Sequence, residues 1–250
     1  MKGVFARLRA QMIPVTRALA IILLFGLACR TTLALDADNA EQQQVLDKYL
    51  SASQGQAPAM RGVSMEVDID AQVPKLKKQG KLHALRNISK LGKITYNILG
   101  FSGDKSVKTE VIARYLTAET QEQTGPDASV TPTNYKFKYK GLENRDDRDV
   151  YVFHVTPRRK QERLFKGEIW IDAKSYLMVR ESGRFVKTPS FIMKKVDFVL
   201  TFNVENGLAI PESMESRADT HIFGPVELKI NYTHFARESD EVATSQSSNQ

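Results

Sequence analysis

Few side chains of this chain could do covalent or metal chemistry, and their spacing supports little of it. The four histidines, His83, His154, His221 and His234, lie far apart, and none forms a HExxH or His-x-His pattern. Cys29 is the single cysteine, so no thiolate set is available to complete a zinc site. Ser102-Gly103-Asp104-Lys105 has the SxxK spacing in which a lysine activates a serine nucleophile, but Lys187-Thr188-Pro189 does not supply the KTG partner motif. The same four residues also make an ordinary strand-to-helix turn with Asp104 as its cap. No GxSxG elbow and no Gly-rich phosphate loop occurs. The expectation is a protein without catalytic residues, cofactor or metal.

What the chain does offer is patterned apolar surface. From Val63 to Val73 the alternation is unbroken: Val63, Met65, Val67, Ile69, Ala71 and Val73 are apolar, and Ser64, Glu66, Asp68, Asp70 and Gln72 between them are polar. Successive side chains of a strand point to opposite faces, so this segment predicts a strand with one dry and one wet face, about 36 Å long. A strand of that length belongs to a large sheet. The functional question is what covers its dry face.

The N-terminus reads as an export signal. Residues 1–17 carry Lys2, Arg7, Arg9 and Arg17 and no acid, and the apolar run 18–28 that follows is too short for a bilayer of about 30 Å. Two processing sites compete: Thr32-Leu33-Ala34, which would start the mature chain at Leu35, and lipidation of Cys29 directly after the apolar run. Residues 1–34 hold five of the 36 basic residues and none of the acids. The rest of the chain, with 31 basic and 29 acidic residues, therefore has a net charge of only +2. The charge of the whole chain is largely that of the leader and gives no argument for nucleic-acid binding. The division expected is a signal peptide 1–34, one domain 35–237 and a polar, disordered tail 238–250.

Within the domain, Asn39 and Gln42 suggest the start of a helix with Val45, Leu46, Tyr49 and Leu50 on one face, broken by the Ser51–Pro58 stretch. Asp104 caps a second helix with the stripe Val107, Val111, Ile112, Tyr115 and Leu116. Gln121–Thr133 reads as a mobile polar linker. Beyond it come antiparallel strands and tight turns: a charged tip at Glu143–Asp149, a turn at Ala173-Lys174-Ser175, and an Asn206-Gly207 hairpin turn. Trp170 is read as packing on the outer face. The basic runs Lys75–Lys81 and Arg158–Arg163 fall at hairpin tips, as solvated charge or as a contact for acidic headgroups. The fold class expected is mainly β (α+β): a curved antiparallel sheet of about eight to eleven strands, with two or three helices on its concave face.

In Phe165–Glu181, Lys194–Thr201, Gly207–Ser213 and Val226–Phe235, and upstream in Val111–Tyr115, Tyr135–Lys140 and Tyr151–Lys160, the order of elements resembles the LolA/LolB-like family of periplasmic lipoprotein carriers. The resemblance covers roughly Gln42–Phe235. It implies a half-barrel plugged by helices, enclosing an apolar cavity for the acyl chains of lipoproteins or phospholipid. The expected lining is Val63, Met65, Val67, Ile69, Leu82, Ile169, Ile171, Val196, Phe198, Leu200, Phe202, Val226, Leu228 and Ile230. By the same resemblance Arg86 stands where the carriers have an arginine that ties the sheet to the helical lid, although here Asn87 replaces the proline that follows it. The partners implied are lipoprotein acyl chains or phospholipid, together with an envelope protein. The alternative is an acceptor or sensor of the same fold, anchored at the outer membrane through Cys29.

Overall fold

The structure, a computed structural model, describes residues 40–121, 127–188 and 192–237. The export signal, Cys29, the Asn39 cap and the polar tail lie outside the described residues.

Ten strands form one sheet, open at both edges and antiparallel throughout: β1 (Val63–Val73), β2 (Lys78–Ile88), β3 (Ile94–Gly103), β4 (Tyr135–Arg145), β5 (Arg148–Pro157), β6 (Phe165–Asp172), β7 (Met178–Phe185), β8 (Met193–Glu205), β9 (Leu208–Thr220) and β10 (Pro225–Arg237). Their order across the sheet is β3-β2-β1-β10-β9-β8-β7-β6-β5-β4. This is the mainly β, curved half-barrel expected; short connections join the neighbouring strands except β1 and β10, which pair from the two ends of the domain, and the long connection from β3 to β4 carries a helix. β1 occupies Val63–Val73 with every odd residue buried. Pro74 stops it, because a proline has no amide to donate to the ladder, and the chain reverses through the 3-10 turn Pro74–Leu76 and Lys77. Two hairpins turn through adjacent residues of positive φ, Asp146-Asp147 and Asn206-Gly207. That is the type of turn that matches strand twist.

The helices are α1 (40–53), the short α2 (Gln56–Ala59) and α3. α3 runs in three pieces, Lys105–Val107, a π turn Lys108–Ile112 and Ala113–Gln121. Asp104 caps α3 by accepting from the Ser106 amide at 2.8 Å. With Lys78 3.3 Å away, these hydrogen bonds lower the Asp104 pKa to about 2. A lowered folded pKa means that Asp104 stabilises the fold above its ordinary value of 3.8 and ceases to do so as pH falls toward about 2. In an Asp104→Asn variant, the amides of the first turn of α3 should therefore lose the acid-dependent part of their hydrogen-exchange protection between those two pH values.

Two expectations need adjustment. The Ser51–Pro58 stretch does not simply break the helix: α1 continues to 53 and Gln56 opens α2, where its side chain accepts from the Ala209 amide at 2.9 Å and donates to the Gly207 carbonyl at 3.1 Å. The Gln121–Thr133 linker, where described, is held in place. Asp127 accepts from Ser129 and Asn134, and Val130 is buried and accepts a hydrogen bond from Tyr49 Oη. β7 begins at Met178 because Tyr176 takes a positive φ of 58° within a turn organised by the Asp172 carboxylate.

Two helix-covered clusters occupy the inner face. One joins β1, β2 and β10 to α3 through Val107, Ile112 and Leu116. The other joins β4–β7 and Phe198 to Val45, Leu46 and Tyr49 of α1, with Val130 and Leu164. On the outer face Val150, Val152 and Val179 pack with Trp170, over which the guanidinium of Arg180 lies at 4.6 Å. Trp170 is thus a packing residue, in keeping with the sequence.

Candidate functional site

The two clusters meet along β9. Register places three rows across it: Leu200–Met214–Ile230, Phe198–Ser216–Leu228 and Val196–Ala218–Val226. In each row the β8 residue lies toward the α1 side and the β10 residue toward the α3 side. The β9 residue between them is a methionine, a serine or an alanine. Met214 and Ser216 are only half-buried, as are Leu200, Phe202 and Val226. The inner face therefore has a seam, lined by small and flexible side chains, where neither helical cover is complete.

The candidate lining residues divide accordingly. Val63, Met65, Val67, Ile69, Leu82, Leu228 and Ile230 are buried in the α3-covered cluster, with Val226 packed against it. Ile169, Ile171 and Phe198 are buried in the α1-covered cluster, with Leu200 packed against it. Val196 is buried and Phe202 half-buried outside both clusters. Two grooves among the described residues have volumes of about 450 and 540 Å³; the first is lined mostly by outer-face charges such as Asp70, Glu215, Arg217 and Lys229, the second mostly by polar residues including Asp68, Lys81, His83 and Asn231. Phe198 and Leu228 border the first and Ile69 and Leu82 the second.

Among the described residues, Arg86 is the one buried charged side chain of the strands beside α3. It is 8% exposed, donates from Nε to Glu119 Oε1 at 2.9 Å and approaches the same oxygen through a second nitrogen at 2.7 Å. Tyr96 Oη donates to the other carboxylate oxygen, and the Tyr115 and Tyr232 hydroxyls lie 3.5 Å apart. Burial works against the charge on Arg86, but Glu119 and the tyrosines raise its pKa above the ordinary value. Burial and the Glu119 charge likewise push the Tyr96 phenol up, so it stays protonated as a donor. The group fastens α3 to β2 and β3 through a carboxylate that the sequence reading did not single out. The readable sign was present: Glu119 follows Ile112, Tyr115 and Leu116 at helical spacing, an acid on an apolar stripe.

α1 is held differently. Lys48 Nζ donates to Tyr176 Oη at 3.1 Å over a ring that stacks on Tyr151, and the Tyr49 hydroxyl, its pKa raised by burial and by Glu181, serves as a donor to Val130.

The remaining candidates do not assemble. No hydrogen bond joins Ser102 to Lys105 among the described residues. His83 contacts Asp68 at 2.9 Å, and His234 contacts Glu66 at 3.2 Å on the outer face. No group of three His, Asp, Glu or Cys residues is arranged to hold a metal ion among the described residues.

The fold and this site define an open antiparallel half-barrel whose apolar inner face is covered in two parts by its own helices. Residues 87–239 match the family of unknown function DUF5686, and the chain belongs to that family. No curated protein matches it in sequence. Among solved structures it is similar to a DUF1329 family protein from Desulfovibrio piger (14% identity, 78% of this chain and 92% of that one, TM-score 0.42). It is also similar to a domain from Vibrio parahaemolyticus described as an outer membrane lipoprotein-sorting protein (10%, 78% and 92%, TM-score 0.38) and to a LolA superfamily protein from Nitrosomonas europaea (12%, 78% and 93%, TM-score 0.37).

Proposed function

We propose that the protein is a non-enzymatic carrier of the bacterial periplasm that holds lipid or lipoprotein acyl chains on the inner face of the half-barrel, in the sorting of outer-membrane lipoproteins. One observation carries this reading: the apolar inner face is covered in two separate parts that meet at a half-buried seam on β9, and one of the covers is fastened by a buried ion pair, Arg86–Glu119. The energies are of the right size for exchange. The three buried apolar side chains of α3, Val107, Ile112 and Leu116, at about 1.5–3 kcal/mol each, contribute at most roughly 5–9 kcal/mol. A sixteen-carbon chain transferred from water contributes about 12 kcal/mol gross. An acyl chain can therefore replace α3 on the sheet without a large net cost, whereas a face covered by one continuous helical layer could not be opened in part.

The test is to purify the protein from cells, extract it into organic solvent and analyse the extract by mass spectrometry, with uptake of a fluorescent fatty acid measured in parallel. Acyl-bearing species in the extract and saturable uptake are expected. Ser216→Phe, which fills the seam, should reduce uptake several-fold without altering the circular dichroism of the sheet. Protein that is free of lipid and also takes up no fatty acid overturns the carrier reading.

A further inference from the structure

The strands run so that three connections share one end of the half-barrel, β1–β2 (Pro74–Lys77), β5–β6 (158–164) and β9–β10 (221–224), together with the end of β7, the start of β8 and the start of α3. This brings the two basic runs, far apart in the sequence, to the same rim. Lys75, Lys77, Lys105, Lys160 and Lys194 are all exposed there and enter no ion pair among the described residues. The nearby acids have partners of their own: Asp104 meets Lys78, Glu162 Lys187, Asp219 Lys195 and Glu227 Arg217, and Asp127 accepts from Ser129 and Asn134. The unmatched charge of this rim is therefore positive.

The same rim carries exposed apolar side chains at its turns. Leu76 is 46% exposed, Ile222 63% and Phe223 38%. β1 and β10 are neighbours with Gln72 opposite Glu227, and the Lys75 side chain lies against Gly224, so the two turns stand side by side. The opposite end also exposes an apolar side chain, Leu91 at 93%, but its turns hold Asp146, Asp147 and Glu205 as well as Lys90, Lys93 and Lys174, so the charge there is mixed. Large apolar tips flanked by unpaired lysines match a surface with an apolar interior beneath a negative skin.

We propose that this rim docks on an anionic lipid surface. Leu76, Ile222 and Phe223 enter the headgroup layer while the five lysines face lipid phosphates. Each lysine near such a surface contributes roughly a five-fold factor in binding. This goes beyond the carrier reading and needs no bound cargo, so the two can fail separately.

The experiment uses the full chain with Cys29→Ser and an environment-sensitive fluorophore on Ile222→Cys, with the fluorophore on Leu91→Cys, at the other end, as control. Vesicles of equal parts phosphatidylglycerol and phosphatidylcholine should shift the Ile222→Cys emission to the blue and leave that of Leu91→Cys unchanged; vesicles of phosphatidylcholine alone should shift neither. Adding Lys75→Glu and Lys77→Glu should raise the lipid concentration at half-shift at least about twenty-fold. No shift at Ile222→Cys, an equal shift at Leu91→Cys, or indifference to the lysine reversals overturns the proposal. A shift caused by envelope protein extract but not by vesicles assigns the rim to a protein partner and overturns it as well.

Discussion

Glu119→Ala should lower the unfolding free energy by about 3–5 kcal/mol, the cost of stranding one member of a buried ion pair. Among the described residues Arg86 meets no other carboxylate: beyond Glu119 its guanidinium reaches the Met65 thioether, at 3.9 Å. It would be left charged and nearly buried against apolar β1. Tyr96 loses its acceptor in the same step, which adds an unsatisfied hydroxyl. Glu119→Gln keeps an acceptor for Tyr96 and the volume of the side chain, so it should cost less than the alanine variant. A double change, Arg86→Met with Glu119→Leu, should recover much of the loss, because a well-packed apolar pair often replaces a buried ion pair at little cost. Chemical denaturation of the four proteins gives the comparison. Hydrogen exchange gives the location: the amides of α3 should open first in Glu119→Ala, while those of β5 and β6 keep their protection. Exchange that rises uniformly over the sheet would show that the pair serves the whole fold rather than the attachment of α3.

What was readable in advance depended on how strongly each strand contrasts its faces. β1 was legible to the residue because Glu66, Asp68 and Asp70 stand against Met65, Val67 and Ile69 without exception. β9 was not, because its inner side is Met214, Ser216 and Ala218 and its outer side includes Ser213 and Arg217. An inner side made of one methionine, a serine and an alanine gives little apolar period to read, yet the small Ser216 is part of what leaves the seam half-buried. The helix stripe of α3 was legible, whereas the π turn within it was not, since one extra residue per turn shifts a stripe by less than its own width. Arg86 could be picked out only through a resemblance, and its partner only through the fold. The pairing of β2 with β3 and the placement of α3 above them bring Arg86, Tyr96 and Glu119 together from three elements. Similarly, the two basic runs could be placed at hairpin tips from sequence, but which end of the sheet each tip occupies follows from the strand order.

Gly183→Val should strongly destabilise the sheet under α1. Gly183 lies opposite Gly167 in the β6–β7 ladder. A Cβ at Gly183 would stand 2.5 Å from the Lys166 carbonyl and 2.8 Å from the Phe165 ring, closer than non-bonded atoms approach. The ring cannot retreat freely. It packs at 5.4 Å from Tyr135 and 5.2 Å from Phe198, and Phe198 stacks on Phe185 at 4.7 Å. The two glycines thus let the strands and the Phe165 ring come close enough to build an aromatic floor for Val45, Leu46 and Tyr49. Overpacking of a core costs about 1–3 kcal/mol when neighbours can yield, and more where the obstacle is backbone, as here. Gly183→Val is therefore expected to lose at least about 3 kcal/mol in denaturant unfolding, with the near-ultraviolet circular dichroism of the aromatic cluster diminished. Gly100→Val is the matched control, because nothing lies within 4 Å of a Cβ at Gly100. If the two variants unfold at the same denaturant concentration, the close approach at Gly183 is not what sets the floor beneath α1. If Gly183→Val alone falls, the aromatic cluster beneath α1 and the covering of the inner face on that side depend on a pair of residues with no side chain.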